Sequence, residues 1–564
     1  MMRTWFCAVL VMLAESLAGQ AFQVVISEVF PDPSPSVGLP EEEFIELTNV
    51  SGVELDISGW TVSNGRTTGK LPDSSVLLPG DIVIICSING KAGFSRLGRT
   101  IAISPFPALT NAGDTVILSD QNNKPVHTVG YNEQLYEGVK RNGGWSLEMI
   151  DLSRACSRID NWLPSNAESG GTPGRKNSHE PQPGTAPPFQ LRHAWCPDSL
   201  SVILVFNETV NFAEALVASS FSVLPGLTVL SSEASGIFFS EVKLLLDRPI
   251  ERNRIYEIGP VKLRSCMGVP ADANSEAVKV ALPDSVANGI VLNELMTNPP
   301  AGGSDFIEVY NLGSNIVNLQ TLVLATRNNR GDITSPRPVK CNNRNLFPGE
   351  YAVFTPDAVW LQKHYHSRYP GAIISLESLP PYPDKNGSVL LATSDGKILD
   401  EVNYSENWHA PLIRVREGVS LERLDVNTAS GDRNNWHSAA MHAGYGTPGY
   451  INSQVLSASG KEDVKIVPEF FTPDGDGLDE ICEVRYQFSE PGTICNIRIY
   501  NWNGQLEKIL ADNALCGTSG RFSWRGENKK GNRLPAGIYI VVTDIFRLNG
   551  KTRRYRHAVT LGFP

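Results

Sequence analysis

The chain has no CxxC pair, no HExxH, no GxSxG and, beyond its start, no run of the roughly 18 apolar residues a membrane-crossing helix needs. These absences exclude a zinc ribbon, a thioredoxin-type redox pair, a zincin, a serine-hydrolase elbow and a transmembrane span. Positive charge is also scarce, with 49 Lys+Arg against 60 Asp+Glu for a net charge of −11. No global field therefore draws the molecule to nucleic acid or anionic lipid. Helical periodicity is rare, and a βαβ pattern is missing. What is present is 564 residues, enough for about four domains. Hydrophobic residues are 41% of the chain, sufficient for ordinary cores. Gly 49 and Pro 38 supply the turns that many short strands require.

The chain opens with Arg3, an apolar stretch from Trp5 to Ala14, and small residues at Ser16, Ala18 and Ala21. This is the layout of a cleaved signal peptide, residues 1–21. Export puts the chain in an oxidising compartment, and eight cysteines remain after Cys7 is removed. That even number allows full pairing.

An internal repeat organises the rest. VVISEVFPDPS from Val24 returns as IVLNELMTNPP from Ile290, and EFIELTN from Glu43 as DFIEVYN from Asp305. Glu148 and Glu422, and likewise Trp162 and Trp436, are 274 residues apart, and the closing GTPG at Gly171 and Gly446 keeps an offset of 275. One unit thus occurs twice. Within each copy the alternation is period two and the punctuation is Pro-Gly, which reads as strands and turns. A short helix is expected only after Asp357, in an insert of the second copy.

The opening V-[IL]-x-E, the [ED]FIE-x-x-N, the LxPG and the NW…GTPG resemble the lamin tail domain in its bacterial secreted form. That resemblance implies an Ig-like β-sandwich over residues 22–178 and again over 287–453. After a Pro-rich linker, 179–190, the segment 191–285 resembles the bacterial Ig-like modules of surface-layer proteins. After a second linker, 454–463, the segment 464–564 carries FTPDGDGLDE, IYNWNG and LPAGIYIV. It resembles the C-terminal Ig-like module of Bacteroidetes surface proteins, which is similar to the flagellar hook-cap Ig-like domain. This implies a type IX secretion sorting signal, cleaved or anchored at the surface. The expected fold class is all-β, as tandem Ig-like sandwiches.

Candidate chemistry is sparse. Glu28 with Glu46, and Glu294 with Glu308, are paired acids of the kind general acid–base catalysis uses. Their place in the strands that define the repeat favours a structural role. GYGTPG at Gly444 precedes no helix, and GRTTGK at Gly65 is one residue short of a phosphate loop. His364 and His366 would share a face on a strand but diverge on a helix. Asp474, Asp476 and Asp479 could gather hard oxygens around calcium, although the loop lacks the twelfth-position Glu of an EF-hand, and a solvated turn is the alternative. No other cofactor is expected. The basic tail around Arg554 alternates as an exposed strand face does.

For the cysteines, Cys86 and Cys156 face Thr355 and Ser430 in the second copy. Their joint absence there suggests a Cys86–Cys156 bridge. Cys196 and Cys266 flank the central module and suggest a second, and Cys495 with Cys516 is a local pair. Cys341 and Cys482 are left as thiols. The expected function is a non-enzymatic, secreted or surface-displayed binding or scaffolding protein, exported by type IX machinery. Its partner is a cell-envelope or extracellular protein or polysaccharide. The alternatives are a hydrolase using repeat loops and a carbohydrate binder using Trp360 and Tyr365.

Overall fold

The computed structural model describes residues 21–156, 161–180, 188–252, 254–271, 278–283, 288–341, 343–455 and 462–562. The expected signal peptide, apart from Ala21, falls outside the described residues, as does most of each expected linker. The fold is mostly β, as expected of Ig-like sandwiches. Among the described residues no helix is long and apolar enough to cross a membrane. The chain divides into two compact units, Met1–Leu282 and Pro283–Pro564.

In the first unit, the first repeat builds a six-stranded sheet in the order Trp162–Pro164, Leu147–Met149, Val24–Phe30, Phe44–Asn49, Ile82–Cys86, Thr100–Ala102. A four-stranded sheet, ordered Pro125–Asn132, Gly113–Ser119, Thr61–Ser63, Thr68–Lys70, closes the sandwich. Ile26, Leu47, Val83, Val116, Leu118 and Trp162 meet in one core drawn from both sheets. Fully burying such a side chain contributes roughly 1.5 to 3 kcal/mol. A second cluster, Phe30, Phe44, Phe94, Ile84 and Cys86, fills the outer side of the large sheet under the short helix Lys91–Phe94. The central module pairs a sheet ordered Leu191–Trp195, Ser201–Phe206, Glu241–Leu246, Val229–Ser235 with a three-stranded sheet of Phe221–Leu224, Tyr256–Pro260 and Val278–Val280.

In the second unit the repeat returns with the same topology. Its large sheet runs Ile373–Ser375, Tyr351–Thr355, Phe306–Asn311, Ile290–Met296, Leu421–Arg423, Trp436–Ser438. Even the irregularities recur, since the register slips between Ile26 and Glu28 in one copy and between Leu292 and Glu294 in the other. The expected helix forms at Ala358–His364, with the Asp357 side chain accepting from the Trp360 N–H as its cap. The C-terminal module pairs a sheet of Asp463–Val467, Cys482–Gln487 and Ser519–Trp524 with a five-stranded sheet that includes Ile494–Asn501, Leu506–Leu515, Gly537–Phe546 and Thr552–Leu561.

The strand expected from EFIELTN forms, and every residue of Phe44–Asn49 is buried, Glu46 included. A segment near the end of the repeat covers the polar face. The bridges differ from those expected. Cys156 is bonded to Cys266 across 110 residues, joining the first repeat to the central module, so neither Cys86–Cys156 nor Cys196–Cys266 exists. Cys86 ends its strand inside the Phe30–Phe44–Phe94 cluster, whereas Cys156 lies in the loop beside Met267. Cys196 packs half-buried against the core of the central module. Cys495 and Cys516 are both buried and unbonded, with the Cys516 thiol on the Ala514 carbonyl. Cys341 and Cys482 are free thiols.

Candidate functional site

The acids flagged in the sequence come together, and a third joins them. Glu28 lies opposite Glu46 on one neighbouring strand and Glu148 on the other, and Glu294 lies opposite Glu308 and Glu422 in the second copy. All six are fully buried. A buried carboxylate is stable only when hydrogen-bonded, and here the donors come from the segment containing GTPG. In the first copy the Thr172 N–H donates to Glu28 at 2.8 Å, the Gly174 N–H to Glu46 at 2.7 Å and the Ser178 N–H to Glu148 at 2.7 Å. In the second, the Thr447, Gly449 and Gln454 N–H groups donate to Glu294, Glu308 and Glu422 at 2.9, 2.6 and 2.9 Å. Ser146 donates to Glu28 at 2.5 Å and Ser420 to Glu294. Asn177 and Asn452 then tie the strap to the carbonyls of Met149 and Arg423. The third glutamate, the two serines and the strap donors were not singled out as a set in the sequence. The near-constant offset at each of these positions is the signal that finds them.

Burial pushes the carboxyls of Glu28, Glu46, Glu294, Glu308 and Glu422 up. Desolvation, with repulsion from Glu46, raises Glu28 well above the usual range, and desolvation takes Glu46 to about 8. In the second copy desolvation and Glu422 take Glu294 to about 8, and desolvation with Glu294 raises Glu308 well above its ordinary value. Such perturbation is common at catalytic sites. Here the oxygens are turned to the strap, so the arrangement is a latch. A general acid must reach a substrate proton, and five of these six residues have their acid groups enclosed.

Glu46 is the exception in part, because with Ser27 and Thr48 it lines a cavity of about 1020 Å³ in the first unit. Phe22, Met149 and Phe212 form apolar walls, and the exposed Arg175 lies at its edge. Glu46 remains engaged there by Ser27 at 2.7 Å and by Gly174.

The other candidates separate. Asp474 and Asp476 do approach one another, but the third carboxylate within 4.8 Å is Glu480, not Asp479. Asp479 adopts φ 48° and offers its backbone carbonyl to the Thr472 N–H, which turns its side chain out of the set. Three clustered oxygens suit a hard cation, although the Gly475 and Gly477 N–H groups already satisfy one Glu480 oxygen. His364 stacks on Trp360 at 4.3 Å, while His366 meets Tyr450, so the two do not converge. Tyr365 is buried with its hydroxyl on the Gly418 carbonyl and offers no stacking face. In the basic tail Arg554 pairs with Asp544 and Arg553 with Glu462, as an exposed strand face would.

Residues 18–133 match the family model of the Lamin Tail Domain. The match falls in the first repeat and ends before the strand Leu147–Met149 and the strap. No curated protein matches the chain. Among solved structures, the N-terminal part of the bacterial S-layer protein SbsC is similar at 12% identity and TM-score 0.16, covering 39% of this chain and 44% of that one. A longer SbsC structure is similar at 10% identity and TM-score 0.16, covering 67% and 54%. SGBP-B of the Bacteroides ovatus mixed-linkage glucan utilization locus, in complex with a mixed-linkage heptasaccharide, is similar at 12% identity and TM-score 0.15, covering 66% and 65%. The chain thus spans about half the length of the SbsC structures it matches.

Proposed function

We propose that this chain is a non-enzymatic, exported scaffold whose modules present a binding surface outside the cell. One observation carries the reading: the carboxylates best suited to catalysis are held, in both copies, by backbone donors of the chain itself. Preorganised donors and acids aimed inward stabilise a frame and leave no reacting position for a substrate. The cavity floored by Ser27 and Thr48 is the recess such a frame offers to a ligand in the first unit. The partner is an envelope or extracellular protein or polysaccharide. Export through type IX machinery, directed by residues 464–564, belongs to the same reading, and so does calcium at the Asp474–Glu480 loop. The decisive experiment is a pull-down of the tagged chain beginning at Phe22 against cell-envelope fractions, run beside a panel of hydrolase substrates. Specific capture without turnover is expected, whereas turnover lost on substitution of Glu46 would overturn it. Deleting residues 464–564 should retain the protein in the periplasm, and normal surface delivery of that truncation would refute the export component.

A further inference from the structure

The end of the second repeat continues past its latch into the C-terminal module. Gln454, whose N–H caps Glu422, is completely buried, and its side-chain amide spans two loops of that module. Its Nε2 donates to the Cys516 carbonyl at 3.1 Å, and its Oε1 accepts from the Gly492 N–H at 3.0 Å. On either side the backbone joins in. The Thr518 N–H donates to the Ser453 carbonyl at 2.9 Å and the Thr518 hydroxyl to the Val455 carbonyl at 2.9 Å. The Tyr486 hydroxyl and His442 Nδ1 share a hydrogen bond of 2.9 Å, and Ala410 packs with Ile494 and Leu515 in a small buried cluster.

The fit is close enough to require glycine. A Cβ at Gly517 would stand 2.3 Å from the Ser453 carbonyl oxygen, and one at Gly492, where φ is +70°, would stand 2.6 Å from the His437 ring. Buried and fully paired polar groups of this kind are specific, because separating the surfaces leaves each of them without its partner unless water replaces it. The same side chain that closes the repeat therefore also seats the next module.

We propose that the C-terminal module is a docked subunit of the second repeat, held by this interface and not by the six residues 456–461 that connect them. Proteolysis at the connection would then leave the module in place, so that processing and release are separate events. This stands independently of the export reading, since it concerns only the contact between the two modules.

The test replaces residues 456–461 with the recognition sequence of a site-specific protease in the full chain, cuts it, and follows both fragments by size-exclusion chromatography without denaturant. Co-elution is expected after complete cleavage. In the same background, Gln454→Ala combined with Tyr486→Phe should increase the apparent dissociation constant at least about tenfold, with the circular dichroism of the uncut chain unchanged. Separation of the cut but otherwise unaltered fragments, each still folded by circular dichroism, overturns the proposal.

Discussion

The two copies of the repeat share a frame and differ in one corner. In the first, the Ile26 N–H donates to His127 Nδ1 at 3.0 Å, which leaves Nε2 to donate to the Ala155 carbonyl at 3.1 Å. Burial lowers that imidazole to about 4, so it is neutral at physiological pH. In the second copy the Leu292 N–H donates to Asp400 at 2.8 Å instead, and Asp400 is held by Arg423 at 3.1 Å and by Ser430 at 2.5 Å. Met149 stands where Arg423 does, and Cys156 where Ser430 does. One copy thus closes the corner with a charged network inside the module. The other uses an uncharged pair and turns the neighbouring cysteine outward to bond Cys266. The lesson is that the latch sets the fold, whereas the corner loop is free to acquire a different attachment.

The largest effect should come from unbalancing the charged corner. Arg423→Met leaves Asp400 partly buried without its cation and should cost the second unit about 3 to 5 kcal/mol. Adding Asp400→His recreates the pair found in the first copy and should recover more than half of that loss. Urea denaturation of the single and double variants measures both, and a double variant no better than the single one would show that the corners are not interchangeable.

Of comparable size is the disulfide. Cys266→Ser should lower the stability of the first unit by about 3 to 5 kcal/mol in the chain-entropy description, and reductant should bring the unaltered protein to the same level. Unchanged unfolding in reductant, or peptide mapping that finds Cys86 bonded to Cys156, would contradict the assignment.

Both copies should respond to pH through the latch, in the same direction. Glu46 and Glu294 are raised to about 8 when folded, against an ordinary 4.5. Between these values the folded state binds protons that the unfolded chain has released, so stability falls as pH rises. The contribution is complete below about pH 4.5 and lost by about pH 8. Glu46→Gln and Glu294→Gln should each flatten the fall in their own unit. A rise in stability over this window would mean that the strap donors outweigh desolvation.

The smallest effect concerns the Asp474–Glu480 loop. A chelator should lower the melting temperature of the second unit by no more than a few degrees if calcium is bound, and Asp474→Asn should abolish that sensitivity. A chelator response that survives the substitution would place the ion elsewhere.

The sequence showed the fold wherever a position repeats. The strands and the glutamates could be read from the near-constant offsets, and the insert helix from its own local pattern after Asp357. The disulfide could not. Pairing Cys86 with Cys156 assumed that two absences in the second copy share a cause, but Thr355 is buried beside Ser304 and Ser430 binds Asp400, so each position has its own local reason. Cys266 belongs to a different module, and no spacing within the repeat points to it. Burial of the glutamates was equally hidden, because period-two alternation reports which face a residue occupies and not whether a distant segment covers that face. The substitution of Glu480 for Asp479 follows from one left-handed residue in a turn, which composition does not reveal.

The strap also has a consequence for the order in which the chain is made. Glu28 emerges near the start of the repeat, and its backbone donor at Thr172 follows 144 residues later. Until that segment is available, three carboxylates in the middle of the large sheet lack the donors that make their burial tolerable. A nascent first repeat is therefore obliged to stay open through most of its synthesis. The last residues to emerge thus complete the module.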